Sequence, residues 1–245
     1  MQEVRPFVMS IAGLDPSGGA GLLSDVKTLE QIGVMGLGVC TALTLQTDSQ
    51  CMTLEWRRID EVIEEIKVLM NHYPVSVVKI GIVKDAEFLN EIIKAVKAYH
   101  ADAKIVWDPV LKSTSEFTFF NLETLPLLEN AMDKISLITP NYNEYSVLME
   151  NNFLSGENRC PVLIKGGHRE DLLGTDILVE NGIETLLKPN DGDFYHPKHG
   201  SGCVLSSAIA GEMAKGNSLE KACRNGKLYI EKFLKSNPSL LGSHS

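Results

Sequence analysis

Positive charge is scarce in this sequence: 23 Lys and Arg stand against 32 Asp and Glu, a formal net charge of -9 over 245 residues. Such a chain repels phosphate backbones and anionic membrane surfaces at long range, which excludes nucleic acid and membranes as partners. Any anionic ligand must then be held by a local feature, a helix start or one placed lysine, against the global field. A C-x-x-C pair is missing too. The five cysteines, Cys40, Cys51, Cys160, Cys203 and Cys223, make an odd count typical of reduced thiols, so the expected compartment is the cytoplasm. Long apolar runs are lacking. The longest uncharged stretch, 31–47, contains three glycines, two glutamines and three threonines, and falls short of a membrane span. The opening Met1-Gln-Glu-Val-Arg-Pro lacks the charged-then-apolar layout of a secretion signal, so no export is expected. Neither G-x-x-x-x-G-K-[ST] nor G-x-G-x-x-G occurs, which removes support for a P-loop or dinucleotide-binding fingerprint. With no internal repeat or Pro/Ser-rich linker, residues 1–245 read as one domain.

What is present is alternation. Short apolar runs at 7–12, 37–45, 76–80, 104–107, 136–138 and 161–164 read as strands, separated by amphipathic stripes. Val62, Ile63, Ile66, Leu69 and Met70 recur at helical spacing, as do Phe88, Leu89, Ile92, Ile93 and Val96. A third stripe runs from Leu219 through Ala222, Cys223, Gly226, Tyr229, Ile230 and Phe233 to Leu234. Parallel neighbours need a crossover and the helices supply it, so the expected fold class is α/β, a mostly parallel central sheet with helices on both faces. Runs at 176–179 and 184–188 around Asn181-Gly182 predict an added antiparallel edge hairpin.

In such sheets ligands gather beyond the carboxyl ends of the strands. The first loop there is Gly13-Leu-Asp15-Pro-Ser-Gly-Gly-Ala20-Gly21, opening a helix that carries Asp25 and Lys27. Its glycines suit close backbone approach to a ligand, or simply a tight turn. The last loop, His199-Gly200-Ser201-Gly202-Cys203, also enters a helix, whose unpaired N–H groups and dipole suit a phosphoryl group or oxyanion. A thiol in that field has its pKa lowered, so Cys203 is expected to be partly thiolate and able to accept a proton from an alcohol; the plainer alternative is a buried structural cysteine. A metal set made from His196, His199 and Cys203 lacks a fourth ligand. Asp108, ahead of Pro109, puts a carboxylate at a strand end where Mg²⁺ or a hydroxyl can meet it, or merely starts a turn. Asn141 with Glu144 three residues on has the layout of a capping box, compatible with a Glu that also holds a water on Mg²⁺. Lys165, before Gly166-Gly167-His168, is a cation suited to a nucleotide phosphate.

In this order, the glycine loop at 13–21, Asp108-Pro-Val110, Thr139-Pro-Asn141-x-x-Glu144, Lys165-Gly-Gly-His168 and His199-Gly-Ser-Gly-Cys203 resemble the hydroxymethylpyrimidine/phosphomethylpyrimidine kinases of thiamine biosynthesis, in the ribokinase superfamily. The resemblance runs from about residue 7 to about residue 235, and the cysteine is specific to this subgroup, since sugar kinases of the superfamily generally carry Asp there. It implies a ribokinase-like fold and phosphoryl transfer from ATP, with Mg²⁺, to the alcohol of 4-amino-5-hydroxymethyl-2-methylpyrimidine and then to its monophosphate. It also implies a homodimer. Carried over residue by residue, Gly13, Asp15, Ala20, Asp25, Thr44, Gln46, Ile82 and Val110 line the pyrimidine pocket. Cys203 is the base, and Gly200, Ser201 and Gly202 form the anion hole. Asp108 and Glu144 belong to the Mg²⁺ region, while Lys165, Asn141 and Glu144 face the nucleotide phosphates. Three departures stand out. Ile82 replaces a common Met and Thr44 an often apolar residue; Lys112-Ser113-Thr114 lacks the usual glycine; and 150–160 is short for the helix that commonly precedes the Lys-Gly-Gly-His strand. A pyridoxine-type kinase and a catalytically silent vitamin-precursor binder are the alternatives, with a nicotinamide oxidoreductase disfavoured by the missing fingerprint.

Overall fold

The computed structural model describes residues 5–112, 117–154, 160–168, 173–190 and 195–244. Along the chain come β1 (Phe7–Leu14), α1 (Gly21–Gln31), β2 (Met35–Gln46), β3 (Cys51–Trp56), α2 (Ile59–His72), β4 (Val75–Ile80), α3 (Ala86–Tyr99) and β5 (Lys104–Trp107). A 3₁₀ segment, Leu122–Lys134, leads to β6 (Leu137–Ile138), α4 (Tyr142–Glu150), β7 (Val162–Ile164) and a 3₁₀ turn, Gly166–His168. The hairpin β8 (Asp176–Glu180) and β9 (Ile183–Leu187) precedes α5 (Ser201–Ala214) and α6 (Leu219–Lys235).

One sheet runs in the order β3-β2-β1-β4-β5-β6-β7-β8-β9. The strands from β2 to β7 in that order are parallel, and each edge is antiparallel. The predicted hairpin is there, with Asn181 and Gly182 at φ 52° and 75°, the left-handed pair that a two-residue turn demands. The antiparallel strand β3 on the opposite edge was not foreseen: Cys-Met-Thr-Leu-Glu-Trp has weak alternation, and pairing with β2 makes it a strand.

Successive strand residues point to opposite faces, so a continuous apolar strand feeds two cores. Met9, Val78, Ile105 and Ile138 pack with α2, α3 and the 3₁₀ segment through Ile66, Ile92, Val96 and Leu128. Their neighbours Val8, Val77, Val106 and Leu137 pack with α1, α5 and α6 through Leu29, Ile209 and Phe233. The helices seen as stripes lie where expected; Pro126, which has no N–H, sits inside the 3₁₀ segment that no stripe announced. Asn141 and Glu144 make both halves of a capping box at the start of α4, Asn141 Oδ1 accepting from Glu144 N at 2.9 Å and Glu144 Oε2 from Asn141 N at 2.7 Å. After α4 the chain turns at residues 151–154, and the shortened stretch noted in the sequence continues into 155–159, outside the described residues. Ser113 and Thr114, where the usual glycine is missing, also lie outside them.

Candidate active site

The first and last loops meet. In the first, the Asp15 carboxylate accepts from Ser17 N at 2.8 Å, Ser17 Oγ at 2.9 Å and Ala20 N at 2.9 Å, which folds the loop around it. It also bonds His199 Nε2 at 2.8 Å, joining the start of the chain to the turn before α5. Burial raises the Asp15 pKa, but the His199 and Ser17 bonds outweigh it and hold the carboxyl below its usual range. Gly200 caps α5 with φ 73° and lies so close to the first loop that a Cβ there would stand 2.1 Å from Gly19 O. Only glycine fits, and the contact brings the start of α5 against residues 19 and 20.

Cys203, half-buried in that turn, has its sulfur against the backbone N–H of Gly21. The expectation of a partly ionised thiol fails. Burial, with Asp108 and Asp25 nearby, pushes Cys203 up to about 11, although Lys79 and the Gly21 amide pull the other way. The helix dipole acts over one turn, whereas desolvation and two carboxylates act through tertiary contacts that spacing does not reveal.

Two aspartate–lysine pairs flank Cys203. Asp25, on α1, accepts from Lys79 Nζ at 2.8 Å, Ser10 Oγ at 2.5 Å and Ser207 Oγ at 2.7 Å, and both charged side chains are 0% exposed. The resemblance put Asp25 among the pocket residues; its side chain is enclosed, with three partners from three other elements. Burial alone lowers a lysine's pKa, yet Asp25, Cys203 and Asp108 together raise that of Lys79, so it stays charged. Sequence reasoning missed Lys79 as a site residue. The available signal was one lysine directly after Val77-Val78 in the mostly apolar β4, followed by Ile-Gly.

Asp108 directly follows β5 and accepts from Lys165 Nζ at 2.7 Å, Thr139 Oγ1 at 3.2 Å and Ser206 Oγ at 3.1 Å. Burial opposes its ionisation, but Lys165 and Lys79 win and its pKa falls. The Lys165 side chain, 11% exposed, brings its ammonium to 3.0 Å from where a Cβ on Gly202 would stand, so it hangs over the first turn of α5. Lys165 also feels Glu144, which sits on the same side; burial, with Asp108 adding to it and Lys165 opposing, raises Glu144 to about 7.

The remaining pocket candidates group around the first loop. Ile82, half-buried, reaches 2.3 Å from an imagined Cβ on Gly13, and Thr41 Oγ1 donates to Ile82 O at 2.8 Å. Thr44 donates its hydroxyl to Leu14 O at 2.9 Å, so the polar group at this often apolar position ties β2 to the first loop. Gln46, at the end of β2, pairs with Cys51, and Val110, half-buried, donates its N–H to Asp108 O at 2.9 Å. Among the described residues no group of three His, Cys, Asp or Glu forms a ready metal site, and His199 turns to Asp15.

Sheet order and the meeting of the two glycine loops at the strands' carboxyl ends define the ribokinase-like class of small-molecule phosphotransferases. In fold alone, the chain is similar to pyridoxal kinase from Staphylococcus aureus in complex with pyridoxal, with a TM-score of 0.81 at 20% identity over 98% of this chain and 92% of that one. A crystal structure of phosphomethylpyrimidine kinase from Clostridium difficile shares 30% identity, with a TM-score of 0.73 over 93% of this chain and 99% of the other. The hydroxymethylpyrimidine/phosphomethylpyrimidine kinase of Aquifex aeolicus is 32% identical across 96% of each chain. The family profile described as phosphomethylpyrimidine kinase matches residues 15–245, and the chain belongs to that family.

Proposed function

We propose that this phosphotransferase moves the terminal phosphoryl group of ATP to the hydroxymethyl oxygen of 4-amino-5-hydroxymethyl-2-methylpyrimidine, and then to the resulting monophosphate, in thiamine biosynthesis. The observation that carries this reading is the turn Gly200–Cys203, which abuts the first loop at Gly200 while Lys165 overhangs it at Gly202. Phosphoryl transfer is mostly positioning and charge stabilisation. The amides after Gly200 are suited to the equatorial oxygens of the moving group, and Lys165 to the charge that shifts toward the leaving phosphate. Asn141, bridged to Lys165 along the backbone, holds that strand end in place. Gly13, Asp15, Ala20, Thr44, Gln46, Ile82 and Val110 are the candidate pocket residues, and Asp25 holds α1 under them.

Cys203 takes the alcohol proton. With a pKa of about 11 its resting thiol is protonated, and near neutral pH only about one molecule in 10³–10⁴ carries the thiolate, with Lys79 as its counter-charge. In a loose transition state the proton leaves late, so a scarce but strong base still serves.

The donor set fits Mg²⁺. Lys165 pairs with Asp108 and also feels Glu144, whose pKa is raised first by burial and then by Asp108, so a dication beside the two carboxylates would favour the ionised form of Glu144. Mg²⁺ typically takes one or two carboxylates and completes its shell with water and phosphate oxygens, which suits a site without three ligands of its own. When bound, it supplies charge neutralisation between nucleotide phosphates.

A homodimer in the cytoplasm completes the reading. Leu43 and Leu45, 48% and 56% exposed, share the face of β2 opposite Thr44 and Gln46 and offer an apolar surface for a second copy. A pyridoxal-type activity has only the likeness of fold in its favour. Incubation with ATP and each candidate alcohol, read by mass spectrometry, separates the two: mono- and diphosphate of the pyrimidine are expected, and phosphorylation of pyridoxal or pyridoxine alone overturns the assignment.

A further inference from the structure

Residues 236–244 pack against the approach to the last glycine loop and against the first. Lys198, one residue before His199, is only 8% exposed, and its ammonium donates to three oxygens of this tail: Asn237 O, Asn237 Oδ1 at 3.1 Å and Ser239 O at 2.6 Å. A lysine has three N–H donors, and burying an ammonium is costly unless they are met, so the tail backbone is held at a defined height. The next residue repeats the tie, His199 N donating to Leu240 O at 2.9 Å. Leu241 then reaches the first loop, where a Cβ on Gly19 would meet both its Cδ2 and the His199 ring at 2.7 Å.

The tail is itself braced. Ser239 N donates to Asn237 Oδ1 at 2.9 Å, Leu241 N to Ser239 Oγ at 3.0 Å, and Ser243 N to Ser236 Oγ at 2.9 Å. Gly242 lies on the Phe233 ring, and His244 Nδ1 sits 3.0 Å from Tyr229 Oη on α6 and 3.5 Å from Thr28 Oγ1 on α1. Residues 237–241 thus touch the last loop through Lys198 and His199 and the first loop through Gly19.

We propose that residues 237–241 form a strap that fixes the distance between the first loop and the α5 turn, with Lys198 as a positioning residue for phosphoryl transfer. The proposal rests on the function assigned above to that turn. Amides at a helix start stabilise a moving phosphoryl group only where they face the acceptor oxygen closely, and a displacement of about 1 Å lowers the rate by about 10²-fold. Because Gly200 and Gly19 are in backbone contact, loosening the strap changes that spacing before it changes the fold.

The test uses Lys198→Met, its conservative counterpart Lys198→Arg, and Leu241→Ala as a milder variant should Lys198→Met fail to fold. Steady-state kinetics with the pyrimidine alcohol and ATP is paired with hydrogen–deuterium exchange of the full chain. For Lys198→Met we expect kcat to fall about 10–100-fold with both KM values within about threefold. Amide exchange at residues 18–21 and 201–204 should rise together with that of the tail. Lys198→Arg should recover most of kcat, and Leu241→Ala should repeat the pattern at about a tenth of the size. Faster exchange confined to 237–244, with kcat within about twofold of the parent, overturns the proposal. If the parent chain does not phosphorylate the pyrimidine, the functional reading fails by itself, and the exchange at the two loops still decides the strap.

Discussion

Two ion pairs of the same chemistry sit on either side of Cys203 and differ in one respect. Asp25–Lys79 and Asp108–Lys165 are 2.8 Å and 2.7 Å long, and consecutive serines of α5 brace them, Ser207 on Asp25 and Ser206 on Asp108. The first is sealed, with both side chains at 0% exposure; the second leaves its lysine 11% exposed above Gly202. A sealed pair cannot exchange its partner for a ligand without opening the core, whereas a lysine at the surface can turn from a carboxylate to a phosphate. In the proposed function the same two residue types serve as a support in one place and as a working group in the other, and accessibility decides which.

The largest effect expected from breaking this arrangement is on the thiol between the pairs. Cys203→Ala should lower turnover by about 10²–10⁴-fold with little change in thermal midpoint, as measured by a coupled ADP assay and a melting curve; near-normal turnover removes the sulfur from the chemistry. In the parent, a base with a pKa of about 11 should make the rate of the chemical step climb with pH through the neutral and mildly alkaline range. A Cys203→Asp variant should lose that climb.

Lys79→Met tests the sealed pair. It leaves the Asp25 carboxylate enclosed with only serine hydroxyls, and urea unfolding should report a loss of about 3–5 kcal/mol. Glu144→Gln tests the charge around the other pair in metal-free buffer. The folded chain keeps the Glu144 proton up to about pH 7, while the unfolded chain releases it near the ordinary glutamate value of 4.5. Stability from this group is therefore lost as pH rises across that window, and the glutamine variant should gain on the parent by up to roughly 3 kcal/mol between those limits. Equal pH dependence of the two chains would show that Glu144 is not desolvated. The smallest effect should come from Lys165→Ala. Water reaches Asp108 through the vacated mouth, so stability should fall by less than half as much as in Lys79→Met, while the KM for ATP rises about 10–100-fold. An unchanged ATP dependence would remove Lys165 from the nucleotide side.

How much of this was legible in the sequence varies with the range of the forces involved. Local chemistry was readable: the Asn181-Gly182 turn, the Asn141/Glu144 capping box and the stripe that became α6 each depend on neighbours within one or two turns. The glycine loops were readable as loops, but not their contact, because Gly200 meets Gly19 across most of the chain. Lys79 was passed over because its partner, Asp25, lies 54 positions away on another element. The acidity of Cys203 came out with the wrong sign for the same reason. Its helix dipole is visible in the pattern Gly-Ser-Gly-Cys, whereas the burial that opposes it, and the carboxylates that add to that burial, come from packing against α1 and the end of β5. Strand β3 was missed because its pairing with β2 is what makes it a strand.

The knot around Asp25 ties residues 10, 25, 79 and 207, so its last strand of support is contributed from far down the chain. Ser10, Asp25 and Lys79 all precede position 80, whereas Ser207 comes from α5, near the other end of the sequence. The turn that abuts the first loop and the hydroxyl that completes the knot ride on one helix. Completing the hydrophilic centre and setting the α5 turn against the first loop thus depend on the docking of one helix.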